Sequence, residues 1–121
     1  MRITDLQFVI ENPSGSYKKF ADSLDEYPLL GVTYPTHYGY IDGYKSEDGH
    51  DLDVFIGNGS IFGILKVNRD DAPNGVDTKM LFGINQAECD SISKEFEPVI
   101  EGIESFDSLE SFLKYIQIFK N

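Results

Sequence analysis

The chain has no tryptophan and one cysteine, Cys89, so it can form no internal disulfide and must fold on its core alone. Cys89 lies between Glu88 and Asp90 with no activating base, and we read it as non-catalytic. Basic residues are scarce: 10 Lys and Arg face 21 Asp and Glu, a formal charge of −11. That balance disfavours nucleic acid as the main partner, because phosphate backbones are bound through basic surface. It equally disfavours an anionic membrane surface. No apolar run approaches transmembrane length. The opening residues Met1 to Asp5 lack the apolar segment of a secretory signal. We therefore expect a cytoplasmic protein with no membrane and no nucleic-acid role. An acidic chain can still act on a phosphate compound if cations neutralise the site.

The material for a core is present: 40% of the 121 residues are hydrophobic, with nine Phe and seven Tyr. This length fits a single domain, residues 1–121. Leu6, Phe8 and Ile10 alternate with Gln7 and Val9 as in a strand with one buried face. Pro13-Ser14-Gly15-Ser16 marks a turn, and Lys18 to Ala21 a return strand. Tyr27 to Val32, Tyr38 to Ile41 and Leu52 to Ile56 read as further strands. Asn58-Gly59, between Leu52–Ile56 and Ile61–Leu65, predicts a tight hairpin. Lys79 to Ile84 is another strand. Leu109, Phe112, Leu113 and Ile116 recur at helical spacing, which predicts one helix, capped by Asp107 with Glu110 three residues on. Many short strands and one helix predict a mainly β (α+β) fold: a small OB-like β-barrel with a C-terminal helix packed on it.

The richest segment is Glu47-Asp48-Gly49-His50-Asp51-Leu52-Asp53-Val54. Along a strand, Asp51 and Asp53 project to one face and Leu52 and Val54 to the other. Clustered carboxylates repel one another unless protonated or bound to cations, and Mg²⁺ prefers such oxygen donors. By itself the cluster reads as a solvated acidic turn before it reads as a metal site. Asp77 and Lys79 share one strand face, which could offer one group to a metal and the other to phosphate; alone it is an ordinary exposed strand edge. Two other segments stand out: Glu11-Asn12-Pro13-Ser14-Gly15-Ser16-Tyr17-Lys18-Lys19-Phe20 and Tyr34-Pro35-Thr36-His37-Tyr38-Gly39-Tyr40-Ile41. His37 in the tyrosine-rich turn is read as a hydrogen-bonding residue, and Tyr34 and Tyr40 as wall and core.

Taken in order, these segments resemble the soluble inorganic pyrophosphatases of the Mg²⁺-dependent, OB-barrel type. The corresponding patterns are I-E-x-P-x-G-S-x-x-K-Y, Y-P-x-x-Y-G-Y/F-I, D-G-D-P-x-D-V, G-x-L-K-M, D-x-K and F-x-x-Y-K. Here they fall at Glu11–Phe20, Tyr34–Ile41, Asp48–Val54, Gly63–Val67, Asp77–Lys79 and Phe112–Tyr115. The resemblance implies hydrolysis of pyrophosphate by metal-activated water. It implies that Asp48, Asp53 and Asp77 hold the main Mg²⁺, with Glu11, and Asp70 where the loop aligns, serving a further ion. Lys19, Tyr38, Lys79 and Tyr115 would contact phosphate. The family forms oligomers, so a homo-oligomer is compatible with the resemblance.

The departures are as informative. His50 replaces the aspartate that serves the family as general base, and Asp51 replaces the following proline. Imidazole can take that role near neutral pH, and Asp51 is the alternative. Glu26 stands where a phosphate-binding arginine is expected, Ala21 where an acid is, and Ile116 where a lysine is. These changes leave open a different diphosphate substrate, or a catalytically weakened binding domain on the same fold.

Overall fold

A computed structural model describes residues 2–69 and 75–120. Eight strands form in chain order: β1 (Phe8–Asn12), β2 (Tyr17–Lys19), β3 (Gly31–Thr33), β4 (His37–Lys45), β5 (Asp51–Ile56), β6 (Ile61–Asn68), β7 (Val76–Ile84) and β8 (Ile100–Ser105). Among the described residues two α-helices join them, α1 (Gln86–Glu95) and α2 (Leu109–Ile116). The expected class holds: a mostly β fold with a helix near the C-terminus. Six strands make one mixed sheet in the order β1-β4-β5-β7-β6-β8, and β2 and β3 form a separate ribbon. Among the described residues no pairing joins the end strands β1 and β8.

Strand alternation divides the interior into two apolar layers. Phe55, Leu65 and Leu81 face one side, where they meet Val32, Tyr34, Tyr38, Ile92 and Phe96. Their neighbours Val54, Ile64 and Met80 face the other, against Phe112, Leu113 and Ile116 of α2. All six of these sheet residues are 2% exposed or less, so both faces of the central strands are buried. That explains the unbroken apolar stretches at residues 54–56 in β5, 61–65 in β6 and 80–84 in β7.

Three local expectations are corrected. Asn58-Gly59 does not close a hairpin: β5 lies parallel to β7, and β7 separates it from β6. Gly59 lacks the positive φ that such a turn demands; its N–H donates to the Gly83 carbonyl at 2.7 Å. A Cβ there would strike the backbone of Ile84, so close approach rather than turn geometry requires the glycine. The second correction is α1, which the sequence reading omitted. Asn85 caps it, accepting from Glu88 N–H while Glu88 accepts from Asn85 N–H, both at 2.8 Å. Only Ile92 of this helix is buried, so its apolar periodicity is faint. The third is the cap of α2, which is Ser108 rather than Asp107; its hydroxyl accepts from Ser111 N–H at 3.1 Å. No helix among the described residues is long and apolar enough to cross a membrane.

Candidate active site

The polar residues of interest lie on the same strand faces that carry Phe55 and Leu81. Two residues back along β5 stands Asp53; two and four residues back along β7 stand Lys79 and Asp77. The parallel pairing of Val54 with Met80 sets Asp53 level with Lys79. The Lys79 ammonium donates to Asp53 Oδ2 at 2.9 Å, to the Tyr38 hydroxyl at 2.8 Å and to Asp77 Oδ2 at 3.3 Å. Tyr38 in turn donates to Asp53 Oδ2 at 2.6 Å.

Burial makes this cluster electrostatically tense. The side chains of Lys79 and Asp77 are 6% and 3% exposed, against 28% for Asp53. Desolvation acts to lower the Lys79 pKa, but Asp53 and Asp77 outweigh it, so the ammonium is held above its ordinary value. Desolvation raises the Asp77 carboxyl, with Asp48 and Asp53 adding to it and Lys79 and the Ser46 hydroxyl opposing. Tyr38 is raised well above the usual phenol range, chiefly by burial and then by Asp53. It therefore stays a protonated donor at neutral pH. Tyr34 stacks on it with centroids 4.3 Å apart and is pushed up to about 12, mainly by burial. Asp77 Oδ1 is buried and has no hydrogen-bond partner.

Asp48 reaches the same region from the turn before β5. Glu47 clamps this turn to β7 by accepting from both the Thr78 N–H at 3.1 Å and the Thr78 hydroxyl at 2.5 Å. Gly49 closes the turn at φ 82°, a conformation that favours glycine. Asp48 Oδ1 accepts from the Ser46 hydroxyl at 2.6 Å and the His50 N–H at 2.9 Å. Burial tends to raise the Asp48 pKa, but these bonds and the charges of His50 and Arg69 win, and it lies below the ordinary carboxylate value.

A cleft of about 390 Å³ opens over Asp53, Lys79 and Tyr38. Glu11 and Tyr34 also line it, as do Lys18, Glu26 and Arg69, together with Phe20, Tyr27, Val67 and Phe96.

The structure thus brings together Asp53, Asp77, Lys79 and Tyr38, with Glu11 on the cleft wall and Asp48 on the adjoining turn. Other expected site residues sit elsewhere. Lys19 pairs with Asp22 in solvent, and Lys18, its neighbour on the opposite strand face, lines the cleft instead. The His50 side chain is 75% exposed, with Nδ1 3.4 Å from Asp48 Oδ2. Asp51 is held by Lys45 at 3.0 Å. Tyr115 packs between Phe106 and Phe119 beside the α2 layer, where burial and then Glu47 raise its pKa. Asp70 lies outside the described residues. His37 accepts from the Ser14 N–H at 3.1 Å, tying the first turn to β4. Lys18 and Arg69 join the cleft with no signal in the sequence, since nothing in local spacing joins positions so far apart, whereas Glu26 lines it at the position where the resemblance expects a phosphate-binding arginine.

A family model described as Inorganic Pyrophosphatase matches residues 1–112. The chain belongs to the inorganic pyrophosphatase family. Neither the curated proteins nor the solved structures contain a match to it. The family match takes in every cleft residue named above and ends within α2, before Tyr115.

Proposed function

We propose that this inorganic pyrophosphatase family member hydrolyses pyrophosphate to two phosphates in a Mg²⁺-dependent reaction. One observation carries the reading. Two carboxylates, a buried lysine and a phenol meet on the strand faces beneath one cleft, a third carboxylate, Asp48, stands on the adjoining turn, and one buried carboxylate oxygen is left unsatisfied.

Among the described residues no three acidic or imidazole side chains already converge as a cage for a metal. The donor chemistry nonetheless suits a hard dication, which takes carboxylate oxygens and would satisfy Asp77 Oδ1. Asp48, Asp53 and Asp77 would hold it, with Glu11 placed for a second ion on the cleft wall. Such an ion supplies positive charge against phosphate oxygens and makes water a better nucleophile.

The chain's own groups do the rest. Lys79 offers a fixed positive charge at the cleft floor and Tyr38 a hydrogen bond, both prepaid by folding. Lys18 and Arg69 offer further positive charge along the walls. Of the two candidates for accepting the proton from water, His50 adjoins Asp48 while Asp51 is engaged with Lys45, so the geometry favours His50.

The test is phosphate release from pyrophosphate by the purified protein, with Mg²⁺ and with chelator. Mg²⁺-dependent release that vanishes in Asp53→Asn supports the reading. No release from a folded protein under either condition refutes it.

A further inference from the structure

We propose that the diphosphate taken by this cleft carries an organic group, specifically a nucleoside, and that the aromatic part of the lining holds it. The inference rests on the phosphoanhydride reading above and narrows its substrate class. Its first ground is size. At about 390 Å³ the cleft falls within the roughly 300–1,000 Å³ range of sites for drug-sized ligands, well beyond what a bare diphosphate needs.

The second ground is the division of the lining. Asp53, Lys79 and Tyr38 form one hydrogen-bonded group. Phe20, Tyr27 and Phe96 form another: Phe20 lies 6.4 Å from Tyr27 and 6.5 Å from Phe96, centroid to centroid. Phe96 is closed into the core at 2% exposure, yet Phe20 keeps 38% of its surface open. A half-open ring backed by the buried Phe96 and the partly buried Tyr27 is a stacking platform, which the phosphates themselves cannot use.

The third ground is Glu26. A carboxylate on the wall repels free pyrophosphate, whose negative charge spreads over its whole length. The same carboxylate accepts hydrogen bonds from sugar hydroxyls or a base amino group, as it already does from the Asp22 N–H at 3.3 Å. A prenyl chain would bury against the rings but offer no hydrogen bond to Glu26 or Lys18, so a ring bearing polar groups fits better. The reaction is then hydrolysis of a nucleoside diphosphate. The water oxygen bonds to the terminal phosphorus and the bridging P–O bond to it breaks. The nucleoside monophosphate leaves with the electron pair, and one proton is released.

The experiment compares kcat/KM for pyrophosphate, ADP, UDP and geranyl diphosphate with Mg²⁺, in wild type, Phe20→Ser and Glu26→Arg. Saturation-transfer NMR from protein to base protons, in chelator, provides a readout independent of turnover. The expected result is that ADP or UDP exceeds pyrophosphate, with transfer to the base ring. Phe20→Ser should lower the nucleotide-to-pyrophosphate ratio about 10- to 100-fold, the size of one lost base stack. Glu26→Arg should move the ratio the same way by favouring pyrophosphate. Pyrophosphate hydrolysis without nucleotide hydrolysis or base transfer overturns this inference and leaves the proposed function standing. A preference for geranyl diphosphate overturns the nucleoside assignment. No release from any of the four overturns the hydrolytic reading itself, and this inference with it.

Discussion

Replacing Lys79 by methionine removes an ammonium bonded to two buried or half-buried carboxylates while keeping a side chain of similar length. Breaking a buried ion pair from one side costs about 3–5 kcal/mol, because the remaining charge is left uncompensated. Here the cost has a ceiling, since Asp77 can escape by taking a proton. For a carboxyl of ordinary pKa near 3.9, protonation at pH 7 costs about 4 kcal/mol, at roughly 1.4 kcal/mol per pH unit. At pH 5 the same escape costs only about 1.5 kcal/mol. The sign agrees with the direction of the Asp77 shift. Its folded pKa is already raised, so the native state holds the proton more tightly, and stability falls as pH rises through that window. Removing Lys79 withdraws the opposing charge and widens the window.

The assay is thermal unfolding in chelator at pH 5 and pH 7, then again at pH 7 with excess Mg²⁺. At about 3–5 °C per kcal/mol for a chain of this size, Lys79→Met should lower Tm by about 10–20 °C at pH 7. The loss at pH 5 should be less than half of that. Mg²⁺ should then stabilise the variant more than the wild type, because the dication no longer competes with the ammonium for Asp53 and Asp77. A loss equal at both pH values, or a loss below about 4 °C at pH 7, would refute the claim that Lys79 is the resident counter-charge.

Asp53→Asn should reduce Mg²⁺-dependent phosphate release by at least about 100-fold while leaving the circular dichroism spectrum unchanged; activity within a few-fold of wild type would remove Asp53 from the site. His50→Ala should lower kcat by about 100-fold and His50→Asp should restore it, the carboxylate being the group the family places there; equal rates in all three proteins would exclude His50 from proton transfer. Gly39→Ala should cost about 1–3 kcal/mol or more, because a Cβ on β4 would strike the Val9 carbonyl of the paired β1; an unchanged urea midpoint would contradict that packing.

Residues close in sequence were legible wherever strand alternation alone set their direction. Asp53 and Val54 separate to opposite faces as their spacing demands, and so do Lys79 and Met80. Helix α2 showed because its buried residues Phe112, Leu113 and Ile116 recur on one stripe. Helix α1 did not, because it buries Ile92 alone and is held by caps: Asn85 with Glu88 at its start, and Glu95 accepting from the Thr33 N–H at 2.7 Å near its end. The Asn58-Gly59 signal misled because a local turn pattern carries no information about which strand will lie alongside. The insertion of β7 beside β5 is a long-range choice, made by two apolar faces that each need cover. The same limit hid Lys18 in favour of Lys19: their strand faces differ by one position, and only the packing of the β2–β3 ribbon decides which face meets the cleft.

The site occupies the stretch where one strand face changes from apolar to charged without leaving the interior. Phe55 and Leu81 are at most 1% exposed, and two residues away along the same faces stand Asp53 and Lys79. Folding therefore desolvates acidic groups that a core would ordinarily exclude. Lys79 opposes that cost, yet Asp77 Oδ1 remains buried and unpaired, and an unsatisfied buried acceptor costs about 1–3 kcal/mol. A chain selected for stability alone would place an apolar residue at position 77. Keeping the acceptor makes sense if a ligand supplies the missing partner, and a dication does so with the charge that the acidic cluster lacks. Stability that rises with Mg²⁺ and loses that dependence in Asp77→Asn is the expected consequence.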